Sequence, residues 1–156
     1  MAWHGPDTDV AGVNHFGASR LIQTENLSTA DARYKTAEAI KATGGGSFFI
    51  TAGKGTMDAD PNGETSVLPA WRKTVIHYAL DTRFNDETDK EDPSVWKSAS
   101  LCSSWKIRKL REITPNSGAY LNEGNYYEPN WPKSYFGDNY EELVEIKKKY
   151  DPESMF

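Results

Sequence analysis

Between Ser117 and Asn125 the chain sets a phenol, an amide and a carboxylate within four residues, as Tyr120, Asn122 and Glu123. An amide both donates and accepts hydrogen bonds, so Asn122 suits the polar edge of a bound ligand. The run from Asn122 to Asn125 is also good turn chemistry, and that reading stays open. His77 falls in a stretch of alternating character, where it either faces a substrate or is a hydrogen-bonded sheet histidine. Tyr126, Tyr127, Trp131, Tyr135 and Phe136 follow closely, and with Tyr120 they either line a pocket or pack the segment onto its neighbours. His4 and His15 lack partners at metal-ligand spacing, which disfavours a metal site. Gly44 to Gly46 follows a helical pattern instead of opening one, so it reads as a helix stop and not a phosphate cradle.

The 156 residues allow one ordinary domain. Apolar residues are lean at 37%, yet aromatics reach 12%, which argues against disorder and suits a piece that completes its core against something else. A net charge of -5 does not suit a nucleic-acid partner, whose phosphates call for a basic surface. No apolar run is long enough to span a membrane, and Met1 to Asp7 does not read as a secretory leader. Cys102 is the single cysteine, so no intrachain disulfide is expected. Asn26 to Ser28 forms a glycosylation triplet, although Ser28 has a local use as a helix cap.

These groups need elements to hold them. Residues 1–17 read as strand or loop, Ala18 to Ile22 as a strand, and Ala30 to Ala42 as a helix capped by Ser28 with Asp31, its face set by Tyr34, Ala37 and Ile40. Ser47 to Ala52 reads as a strand, Gly53 to Ser66 as a loop, and Thr74 to Phe84 as a strand by its period of two. Asn85 to Asp92 is a polar connection. Pro93 opens a helix over Ser94 to Ile113 with Val95, Ala99, Cys102, Trp105 and Leu110 inward, and Pro115 stops it. A last helix spans Tyr140 to Tyr150, capped by Asp138 with Glu141, with Tyr140, Leu143, Val144 and Lys147 on one stripe and Lys147 to Lys149 at its negative end. The expected class is α+β with an antiparallel sheet flanked by helices.

The segment from Gly118 to Phe156 resembles the C-terminal part of FAD-linked oxidases of the berberine-bridge-enzyme type. The likeness rests on Ala119, Tyr120 and Asn122, on Trp131, on Tyr135 to Tyr140, and on Leu143 through Pro152. A weaker likeness covers Pro69 to Arg72. The resemblance implies residues 1–115 as a partial substrate-binding domain and 116–156 as the family's C-terminal segment. That segment would lay Tyr120 and Asn122 beside the flavin and dock on a FAD-binding domain. The family's common motif carries a tyrosine base where Glu123 stands here. The resemblance therefore offers Glu123 as the catalytic base if burial raises its pKa, or else as a capping or substrate-anchoring group.

The expected function is hydride transfer from a small secondary metabolite to FAD with O2 as acceptor, an ergot-type alkaloid intermediate being one candidate. The family's covalent flavin attachment motifs are missing from these residues, and Cys102 does not stand in for them. The isolated chain is expected to be inactive. A non-catalytic binding or assembly protein, or one subunit of a split flavoenzyme, are the rivals.

Overall fold

The computed structural model describes residues 13–85 and 93–156. The expectations for residues 1–12, including the leader, and for residues 86–92 lie outside these. Three strands, β1 (Val13–Gln23), β2 (Ser47–Ile50) and β3 (Thr74–Asn85), form an antiparallel sheet in the order β1-β3-β2. The α+β expectation holds. The period of two puts successive side chains on opposite faces. One face therefore carries Ala18, Ile22, Tyr78 and Leu80, and helices α1 (Ala30–Lys41), α3 (Pro93–Lys106) and α4 (Arg108–Ile113) complete a core there with Ala39, Ile107 and Leu110. The opposite face carries Leu21, with Leu68 and Ala70 packed on it. Cross-strand partners Leu21, His77 and Phe49 stand in one row, and Ser19, Ala79 and Ser47 in the next.

Several local expectations shift. The cap of α1 is Thr29, not Ser28, because the Thr29 hydroxyl accepts from the Ala32 amide at 3.1 Å. Ser28 instead donates to the Glu25 carbonyl. The inward face of α1 is Thr36, Ala39 and Ile40, while Tyr34 is 67% exposed. The triplet's Asn26 is buried, donating to the Ile113 carbonyl and accepting from the Gln23 amide, so its nitrogen is committed within the fold. Within the expected loop, Lys54–Asp58 forms a short helix, α2.

The long helix breaks at Ile107, whose fully buried side chain turns the chain into the core. Its inward face is built from Ala99, Ser100, Ser103 and Ser104, and Trp105 points out. Serines serve there because their hydroxyls find partners, Ser103 on the Phe16 carbonyl and Thr82, and Ser100 on Asn125. After α5 (Trp131–Phe136), a turn over Gly137–Asn139 leads into α6 (Tyr140–Tyr150). Asp138 makes no side-chain cap; the N-cap position is Asn139, which spends its amide on the Thr65 and Val67 carbonyls. Lys147 pairs with Asp151 just beyond the helix end. Among the described residues, no helix is long and apolar enough to cross a membrane.

Candidate functional site

The second face of the sheet holds the site, and the tail forms its roof. Leaving α4, the chain crosses β1 and is fixed by three bonds, the Leu21 amide to the Gly118 carbonyl (2.9 Å), the Ser117 hydroxyl to the Leu21 carbonyl (2.5 Å) and the Tyr120 amide to Ser19 (2.8 Å). Close approach needs small residues. A Cβ on Gly17 would sit 3.1 Å from the Glu123 carbonyl oxygen, so a glycine lets the turn at Leu121–Glu123 rest against the strand. At Gly118 a Cβ would lie 2.5 Å from Leu68 Cδ2 and 2.6 Å from the Ser134 carbonyl oxygen. That same carbonyl accepts from the Ala119 amide. Gly118→Ala is therefore expected to lift the tail and cost about 1–3 kcal/mol, readable in a urea unfolding curve.

The turn delivers three of the sequence candidates to one place. Asn122 donates to the Tyr120 hydroxyl at 2.7 Å. Glu123 Oε2 meets His77 Nε2 at 3.0 Å. Asn122, Glu123 and Gly124 border an open cavity of about 340 Å³. Its floor is cut by small residues on one face of the three strands, Gly17, Ser47 and Ala79, with Phe49 and Asp81 as walls. Glu123 is half-buried, with 37% of its side chain exposed against 7% for His77. The imidazole sits in an aromatic collar, stacked on Phe49 at 5.3 Å and met edge-on by Trp71 and Tyr120. Burial holds its pKa below the ordinary histidine value, and the nearby Glu123 carboxylate offsets part of that shift.

Tyr120 and the other aromatics of the tail do not border this cavity. Tyr135 is buried and bonds the Asn125 backbone; burial and then Glu128 push its phenol up to about 12. Trp131 packs edge-on against Phe136 and Tyr140, and Tyr126 is 84% exposed. Sequence reading passed over Asn125 and Glu128, which anchor the roof. Asn125 donates to the Ser100 and Gly17 carbonyls, while its oxygen accepts from Ser100 and the Tyr127 amide. Glu128 takes a forked bond from Arg111 and lies 3.9 Å from Arg20. A carboxylate three residues after an asparagine in a turn carries no local sign that its partners lie on β1 and α4.

Residues 119–156 match the family model described as "Berberine and berberine like". The chain is 40% identical over 92 residues to the FAD-linked oxidoreductase ZEB1 of Gibberella zeae, covering 59% of this chain and 16% of that protein. It is 30% identical over 161 residues to the FAD-linked oxidoreductase apf9 of Gibberella fujikuroi, covering 98% of this chain and 26% of that protein. Two solved VAO-type flavoproteins from Myceliophthora thermophila share the fold. MtVAO713 has a TM-score of 0.77 at 23% identity, over 90% of this chain and 25% of that one. MtVAO615 has a TM-score of 0.69 at 26% identity, over 89% and 25%. The chain thus spans between about a sixth and a quarter of the length of these relatives.

Proposed function

We propose, taking residues 119–156 as a berberine and berberine-like segment, that this chain forms the substrate-side wall of the flavin site in a FAD-linked oxidoreductase. In this reading residues 1–115 are part of the substrate-binding domain, and 116–156 are the segment that reaches the flavin. One observation carries it: Asn122 and Glu123 from the tail border a single cavity against the sheet, each backed by a partner behind it, Tyr120 for Asn122 and His77 of the central strand for Glu123.

The donor set fits one part of FAD. The Asn122 amide and Tyr120 hydroxyl suit the polar edge of the flavin ring or its ribityl chain. The pyrophosphate is a poor match, because Glu123 and Asp81 put carboxylates on the cavity wall where a diphosphate needs cations or an array of amides. At about 340 Å³ the cavity is at the small end for a ligand site and suits a ring edge with a small substrate. Bound flavin supplies the two-electron acceptor for the substrate's hydride, with O2 as the final acceptor.

The chain's own residues supply the rest. Glu123 accepts the proton of the substrate hydroxyl or amine as the hydride leaves the adjacent carbon. Asn122 fixes the orientation of the ring edge, and Phe49 gives the substrate an apolar wall. A small secondary metabolite suits this space, and an ergot-type alkaloid intermediate is the candidate we favour. Phe49 beside two carboxylates is a favourable setting for a cationic nitrogen.

The test is colour. Purified alone, the chain is expected to be colourless and to oxidise nothing. Produced together with the flavin-binding portion of a relative such as apf9, it is expected to yield a yellow complex that consumes O2 with substrate. A yellow protein without that partner would overturn the assignment of the flavin's main contacts to a separate portion. A colourless mixture would favour a non-enzymatic binding protein.

A further inference from the structure

We infer that His77 is a positioning residue for Glu123: its Nε2 holds one carboxylate oxygen so that the other faces the cavity and can take a proton. This deepens the reading of Glu123 as the base and rests on it. The two atoms are 3.0 Å apart, at ion-pair distance, both are buried, and neither makes an aligned hydrogen bond to any group among the described residues. A buried polar atom without a partner costs free energy, so each has reason to hold the other. Among the described residues Glu123 Oε1 accepts no hydrogen bond, and the side chain borders the cavity. The carboxylate is thus held at one oxygen and free at the other.

The imidazole is built to stay put. It rises from the middle of the central strand between Leu21 and Phe49, and three aromatic rings close around it at 5.3–5.4 Å. The titratable groups facing it are Glu123 and Tyr120, both from the tail. Leu21, Phe49 and Trp71 from the other elements carry none. Desolvation keeps the ring neutral near pH 7, so one ring nitrogen carries a hydrogen and the other accepts. A histidine serving only the core would have its partner inside the core. Here the partner stands on the cavity wall.

The contact is tested first on the chain itself. It has three histidines, so the His77 imidazole can be followed by nitrogen NMR through a pH titration. The carboxylate raises the His77 midpoint, so Glu123→Gln should lower it. An unchanged midpoint would overturn the contact. The role is tested next in the flavin-loaded complex. His77→Phe should lower kcat for flavin reduction about 10- to 100-fold with little change in KM, because a base released from its holder loses alignment. His77→Gln, which keeps a donor on a chain of similar reach, should recover most of the rate. Equal losses in both variants would reduce His77 to packing and overturn the proposal. If Glu123→Gln lowers the midpoint yet leaves flavin reduction intact, the contact stands and the base reading fails.

Discussion

Glu128→Ala is expected to destabilise the chain by about 3–5 kcal/mol, the range for removing one partner of a buried ion pair. Glu128 is 5% exposed and receives two bonds from Arg111, at 3.1 and 2.6 Å, and one from Ser134 at 3.0 Å. Arg20, 3% exposed, gives its other donors to Thr114 and leaves Nη1 nearest to Glu128. Burial already draws the Arg20 pKa down to about 10, with Glu128 opposing that fall and Arg111 adding to it. Without the carboxylate, two guanidinium groups share a desolvated space with no counter-charge. Glu128→Gln keeps the shape and one acceptor, so its loss should be smaller, about 1–3 kcal/mol. Urea unfolding followed by tryptophan fluorescence reads both. A loss below about 1 kcal/mol for the alanine variant would show that the pair behaves as a surface ion pair. Because the network joins the tail to β1 and α4, exchange at the Ala119 and Tyr120 amides should quicken in step.

That network marks where sequence reading stops. The strand at 74–84 was legible because burial of a sheet face imposes a period of two, that at 18–22 as a short apolar run and that at 47–52 from its β-branched and aromatic residues. The helices at 30–42 and 140–150 were legible from composition and from the stop after Lys41. The tail was legible as a resemblance, since its spaced aromatics and glycines form a dense pattern. What failed was anything set by tertiary partners. Tyr34, Ala37 and Trp105 were assigned inward on apolarity alone, whereas Thr36 and the serines at 100, 103 and 104 hold those places. Small hydroxyl side chains fit where a helix presses against a sheet and can return their polar atom to a nearby carbonyl. Single-residue polarity carries no trace of this. The same blindness hid Glu128 and Asn125, whose bonds to Arg111 and Gly17 reach 17 and 108 residues away. His77 was ambiguous for a related reason. Its strand position was readable, but its row on the sheet became a site only when the tail brought Glu123 to it.

In the flavin-loaded complex, Glu123→Gln is expected to lower the rate of flavin reduction by about 10²–10⁴-fold, the usual span for a lost general base. At 1.36 kcal/mol per tenfold, that is about 2.7–5.4 kcal/mol of barrier. The substitution keeps the side chain's length and hydrogen-bonding reach. It removes only the capacity to take a proton, so substrate binding should change little. The loss should therefore fall on kcat and leave KM nearly unchanged. Glu123→Asp preserves the carboxylate but withdraws it from His77 and from the cavity, and should give an intermediate rate. Folding offers the necessary control. Glu123 is half-exposed and the turn is held by backbone bonds, Glu123 N to the Tyr120 carbonyl and Gly124 N to the Leu121 carbonyl, which glutamine leaves in place. Unfolding midpoints of parent and variant should then nearly coincide. A glutamine variant that reduces flavin within threefold of the parent would assign Glu123 to anchoring the substrate instead, and the proton acceptor would have to be sought on the flavin-carrying side of the cavity.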